Sequence, residues 1–186
     1  MLPTRPRRNG NIPTKLSNDF RERADSAAFY EAWVGAVLSR AGLWTLHHPF
    51  TLAETREQIV EYAQTWDMSV GPNDFSNTED PENPFYDVEV KSVNLTFHNT
   101  DTYPFPRVLV CSQASWERKW YSSVTVVDFL FVSRPTGCIL WLPQGTKVEM
   151  NKTVTDTMRD QTYKAVDTDA DNLCPLSDFV EKVRGA

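Results

Sequence analysis

The spacing of apolar residues changes period several times along the chain. Between residues 26 and 41, Tyr30, Val34, Val37, Leu38 and Ala41 recur at helical intervals and predict one helix with a buried stripe. Asp25 or Ser26 is placed to cap its start, and Gly42 stands where a C′ glycine belongs. LWTLHHPF then reads as extended, and TLAETREQIVEYAQ as mixed helical. Three strand-like runs follow: TWDMSV (65–70), YDVEVKSV (86–93) and RVLVCSQ (107–113). In the second, Val88 and Val90 face one way and Asp87, Glu89 and Lys91 the other, the two-residue period of a strand. Between the first two runs a polar turn region, GPNDFSNTEDPENP, offers only Phe75 to a core. SWERKWYSS (115–123) suits a helix with Trp116 and Trp120 one turn apart, and VDFLFVS and CILWLP flank a turn at 134–137 as a hairpin. This order predicts an α/β fold, a central mixed sheet flanked by helices.

Three segments are distinguished. Residues 1–23 are a basic arm with Arg5, Arg7 and Arg8, rich in Pro and Asn and without periodicity; 24–150 form the core domain; 151–186 are a polar C-terminal extension with one helix around 177–185. A chain of 186 residues buries roughly 70% of its unfolded surface on folding and needs no disulfide or zinc staple. Cys111, Cys138 and Cys174 show no CxxC spacing and fit free thiols in a reducing cytoplasm. No apolar run is long enough to span a membrane, and no apolar stretch follows the basic start as a secretory signal requires. The net charge of −6 argues against indiscriminate nucleic-acid binding. That charge is uneven: residues 54–89 carry ten acids against one base, Arg56.

The chemistry concentrates in YDVEVKS. Glu89 and Lys91, two apart on a strand, project from one face. If the runs at 65–70 and 86–93 pair as a hairpin, Asp67 comes close to Glu89. Two carboxylates converging beside an ammonium repel each other unless a cation compensates. Oxygen ligands with open water positions suit Mg²⁺ or Mn²⁺ rather than zinc.

The order Asp67 … Glu89-Val90-Lys91 resembles the PD-(D/E)XK nuclease superfamily, whose restriction-endonuclease-like fold has an αβββαβ core. SAAFYEAWVGAVLSRAG resembles its first helix and places Glu31 on the stripe of Val34, Gly35 and Leu38. That glutamate brings the pattern nearest to the Holliday-junction-resolvase-like branch. The resemblance covers roughly residues 26–142. It implies a Mg²⁺-dependent (or Mn²⁺-dependent) DNA endonuclease, with structure-specific cleavage among its modes. Asp67, Glu89 and Glu31 would be metal ligands, Lys91 would assist the attacking water, and Gln113 would reach that water or a phosphate. DNA, duplex or branched, is the implied partner, and a two-fold homodimer would present two sites. The chain departs from the pattern in reading Trp66-Asp67 where the first motif has proline before the acid. Pro72-Asn73-Asp74 is the alternative anchor; Asp67 is preferred because it lies in an apolar run. Gln113 is followed four residues on by Glu117, not the Tyr of the exonuclease-type branch.

A second reading is a catalytically inactive protein of the same fold that binds nucleic acid or a protein partner; a third is an RNase, without an RNA-binding signature to favour it. The adjacent His47 and His48 point to opposite faces of a strand and are read as surface or half-buried side chains. His98 is read as exposed, Ser92 as ordinary or touching a phosphate, Cys111 as core, and Trp116 and Trp120 as packing against the sheet. No GxGxxG, Walker or GxSxG motif occurs.

Overall fold

A computed structural model describes residues 14–48, 66–72, 85–122, 127–156 and 161–185. The basic arginines of the arm, the TLAETREQIVEYAQ segment, Asp74 and Phe75 lie outside them.

Helix α1 runs from Thr14 to Arg40, twelve residues earlier than the apolar stripe predicts. Asp25 and Ser26 are therefore interior helical residues, and part of the segment read as an arm is helix. Residues 14–25 follow Pro13 and contain neither Pro nor Gly, so nothing in them breaks a helix. They lack an apolar stripe, which is why periodicity misses them. The other end follows the reading: Gly42 has φ +74° and its N–H donates to the Ser39 carbonyl at 3.0 Å. A Cβ there has room, its nearest neighbour being the Arg184 guanidinium at 3.5 Å. Gly42→Ala is thus expected to lose about 1 kcal/mol through left-handed backbone strain alone, measurable by urea unfolding.

Strands β1 (Leu43–His47), β2 (Met68–Pro72), β3 (Tyr86–Val93), β5 (Asp128–Ser133), β6 (Ile139–Leu142) and β9 (Cys174–Pro175) form one sheet in the order β1-β2-β3-β5-β6-β9. Every neighbouring pair is antiparallel except β3 and β5, which are parallel with Glu89 beside Phe129 and Lys91 beside Phe131. A second, antiparallel sheet has the order β4-β8-β7, from Arg107–Ser112, Gln161–Asp169 and Glu149–Asp156. Helix α2 (Gln113–Ser122) follows β4, and α3 (Leu176–Arg184) ends the chain.

The fold is therefore α/β, a mixed sheet flanked by helices, as the pattern predicts. The αβββαβ order holds as well, but with a different third member. The pattern predicts RVLVCSQ as the last of three strands in the central sheet. The strand that fills this role is LWTLH, at the sheet edge, and β4 belongs to the second sheet. The residues read as an extension contribute β7 and β8 to that second sheet and Phe179, Val180 and Val183 to the main core.

Two apolar clusters hold the layers together. Val34 and Leu38 of α1 pack with Val70, Val88 and Leu130 of the sheet and Phe179 and Val183 of α3. On the opposite face Phe129, Phe131, Leu140 and Leu142 meet Val108, Val110 and Val166 of the second sheet, and Trp116 stacks on Phe129 at 6.1 Å. Covered on both faces, β5 is buried throughout.

An ion pair between a buried carboxylate and a partly exposed lysine ties α3 to this sheet. The Asp128 carboxylate, fully buried, accepts from Trp141 Nε1 at 2.7 Å and the Gln144 N–H at 2.9 Å, and meets Lys182 Nζ at 3.1 Å. Lys182 also lies 4.6 Å from the Tyr86 ring centre and 5.1 Å from that of Trp141. Asp128→Ala strands these donors and is expected to destabilise the protein by about 3 kcal/mol. Asp128→Asn keeps an acceptor and should lose less, which paired denaturation curves would show.

Candidate metal and nucleic-acid site

The site lies where β1 ends, β2 begins and β3 passes both. The Asp67 N–H donates to the Val88 carbonyl at 3.1 Å, and its own carbonyl accepts from the His48 N–H at 3.0 Å. These bonds fix the backbone, and the Asp67 carboxylate then accepts the Val90 N–H at 2.6 Å. The antiparallel pairing of β2 with β3 sets Met68 against Val88 and so brings Asp67 to the middle of β3. The two runs pair antiparallel, which sets Asp67 alongside Glu89 as their order predicts.

Glu89 is buried, 7% exposed, on the face of β3 that carries Lys91. The alternation of YDVEVKS is realised directly: Lys91 Nζ lies 2.5 Å from Glu89 Oε1. Glu31, half-buried on α1, is close enough for its charge to act on Asp67 and Glu89. The three acids and the lysine thus form one electrostatic unit. Gln113 sits at the first position of α2, and its side-chain N–H donates to Glu117 at 2.7 Å. It lines a cleft with Lys91, and its side chain is engaged with Glu117 rather than with the three acids.

The electrostatics follow from burial and like charge. Burial raises the Asp67 carboxyl first; Glu89 and Glu31 raise it further, while the Val90 N–H and Lys91 pull it down, and it comes to rest at about 7. Glu31 is raised as well, by burial and then by Glu89, against Lys91. Burial alone would lower Lys91, but the charge and hydrogen bond of Glu89, together with Asp67 and Cys111, hold it above the ordinary lysine value. Lys91 as held here is an ammonium, a donor rather than a base.

The donor set is hard oxygen. Among the described residues, no three His, Cys, Asp or Glu side chains are arranged as a ready metal cage. Carboxylate oxygens are the ligands that a hard divalent cation such as Mg²⁺ takes, one or two of them with water in its other positions. Asp67 and Glu89 are the two carboxylates that would hold one, with Glu31 within electrostatic reach of both.

Sequence reasoning missed a hydrogen-bonded chain beside Asp67. Ser69 Oγ donates to Asp87 Oδ1 at 3.1 Å and lies 2.9 Å from His48 Nε2 and 3.2 Å from Trp66 Nε1. The serine proton is directed to the aspartate, so His48 must donate and Ser69 is no nucleophile. The group braces the β1–β2–β3 junction under Asp67. Its only sequence signal was the alternation that sets Asp87 on the face of Glu89. Of the remaining candidates, His98 is exposed, Ser92 Oγ accepts from Arg134 at 3.0 Å, and Cys111 and Trp116 pack against the second core cluster. His47 is exposed on β1, its ring lying where a Cβ at Gly35 would be. Trp120 lies in α2, and its side chain is outside the described residues.

No protein-family model matches the sequence, and no curated protein matches it. Among solved structures the chain is similar to Hjc of Archaeoglobus fulgidus, a Holliday junction resolvase from an archaeal hyperthermophile. The match has 11% identity and a TM-score of 0.47, and covers 84% of this chain and 96% of that one. Among the described residues no helix is long and apolar enough to cross a membrane.

Proposed function

We propose that the chain is a divalent-metal-dependent DNA endonuclease. The observation that carries this reading is the desolvated acidic unit of Asp67, Glu89 and Glu31 with Lys91 bound into it. Its aspartate is raised to about 7 largely by burial and by its neighbours' charge. A fold that holds carboxylates together at that disadvantage is preorganised for a cation. A bound Mg²⁺ or Mn²⁺ would supply Lewis-acid polarisation of the phosphate and stabilise the leaving oxyanion.

The chain's own residues do the rest. Asp67, fixed through the Val90 N–H, and Glu89, fixed by Lys91, orient the acceptor oxygens toward one side of β3. Lys91 directs its ammonium to the place where a phosphoryl oxygen gains charge. The brace of Ser69, Asp87, His48 and Trp66 keeps Asp67 in register with Glu89. Burial of Glu89 excludes water from the back of the site.

A second reading is a non-catalytic DNA-binding protein in which the Lys91–Glu89 pair is structural; the 2.5 Å contact that commits the ammonium to Glu89 favours it. A cleavage panel separates the two: supercoiled plasmid, linear duplex, single strand, four-way junction and RNA, each with Mg²⁺, Mn²⁺ or EDTA. Metal-dependent cutting of a DNA substrate by the wild type is expected, and the preferred substrate defines the specificity. Folded protein that binds DNA and cuts nothing with either metal would establish the second reading.

A further inference from the structure

A cleft of about 640 Å³ opens beside the acidic unit and shares Lys91 with it. Its walls are β4, the first turn of α2 and the start of β8, including Cys111, Gln113, Ser115, Tyr163 and Lys164. The volume is in the range that bound small groups occupy.

Its lining holds two lysines and one acid: Lys91 is paired with Glu89 and Glu117 is engaged by Gln113, so the ammonium the cleft offers is that of Lys164. Lys164 is exposed and has no ionic partner among the described residues. Ser115 Oγ accepts from Ser112 Oγ at 2.9 Å, which leaves its own proton to donate. Tyr163, half-buried, presents a ring to the same space. An ammonium, a hydroxyl donor and an aromatic ring along one groove match the phosphate, sugar and base of a polynucleotide strand. Lys91 lines the cleft and is bound to Glu89, so a strand seated there lies next to the acidic unit.

We propose that this cleft seats the nucleotide next to the phosphate under attack, with Lys164 and Ser115 on its phosphate and Tyr163 against its base or sugar. The choice of DNA as ligand rests on the endonuclease reading; the cleft and its lining do not. The second sheet, through β8, then serves as the opposite wall of the substrate groove.

The test is anisotropy of fluorescein-labelled duplex and four-way-junction DNA, with Ca²⁺ present, over a range of salt. Lys164→Ala is expected to weaken binding about three- to tenfold and to make the slope of log K against log salt shallower by roughly 0.7–0.9, with Lys164→Arg restoring both. Bound DNA should also slow iodoacetamide alkylation of Cys111 relative to Cys138 and Cys174, read peptide by peptide by mass spectrometry. Unchanged affinity and salt slope in Lys164→Ala, or Cys111 alkylation indifferent to bound DNA, would overturn the proposal, as would a wild type that binds no DNA. Cleavage is measured on the same preparations. Cutting without a Lys164 effect removes the cleft and leaves the endonuclease reading. Lys164-dependent binding without cutting removes that reading and leaves the cleft as a nucleic-acid groove only, which overturns its placement next to a phosphate under attack.

Discussion

Lys91→Ala is expected to lower DNA cleavage about 10³-fold while leaving the metal affinity within a few-fold of wild type, because an ammonium at the phosphoryl group stabilises charge that develops only in the transition state. Glu89→Gln should lose cleavage to a similar extent for a different reason. It removes a ligand charge, so part of its defect should be recovered by raising Mn²⁺. The two variants therefore separate by metal titration. Lys91→Ala is low at saturating metal, and Glu89→Gln climbs with it. Both side chains are partly or wholly buried against each other at 2.5 Å. Each variant strands its partner, so folding must be checked alongside activity. Cleavage by Lys91→Ala equal to wild type at every metal concentration would remove this lysine from the mechanism.

Asp67→Asn is expected to stabilise the metal-free protein while destroying its activity. The carboxyl is raised from 3.8 to about 7 in the fold. Below pH 3.8 it is protonated in folded and unfolded chains alike. Between the two values the folded chain holds the proton and the unfolded chain does not, so stability falls as pH rises. Above about pH 7 the loss is complete. The asparagine keeps an oxygen for the Val90 N–H and carries no charge. It should gain on the order of 1–3 kcal/mol at pH 8, less than the full shift implies because Asp67 is only partly shielded from solvent, and nothing at pH 3.5. Urea unfolding of both proteins across that range gives the curve. A variant less stable than wild type at pH 8 would mean that the aspartate is not held against its own charge.

How far the sequence carried this picture varies by residue. YDVEVKSV was readable as β3 with its correct ends, since Val88 and Val90 alternating with Asp87, Glu89 and Lys91 is the two-residue period of a strand. The Lys91–Glu89 contact followed from that period alone. Glu31 was readable because its stripe also contains Val34 and Leu38, both fully buried. Which sheet a strand joins was not readable. Val108 and Val110 turn inward while Leu109 is 40% exposed, the pattern of any strand covered on one face, and nothing local distinguishes β4's partner β8 from the central sheet. The strands β7 and β8 escaped because their paired ends, such as Thr153 with Lys164 and Thr155 with Thr162, are polar. The brace at Ser69 joins residues 18 and 21 positions away, a juxtaposition only the β1–β2–β3 pairing creates.

The central claim is that Asp67 and Glu89 together make a divalent-cation site, and calorimetric titration of the folded protein with Mn²⁺ at pH 6 and pH 8 tests it most directly. Binding should be about tenfold weaker at pH 6, since a proton on a group of pKa about 7 competes for the site, and should be accompanied by proton release there. Asp67→Asn and Glu89→Gln should each weaken it at pH 8. Mn²⁺ binding that is absent at pH 8, or that is the same in wild type and both variants, would contradict the account.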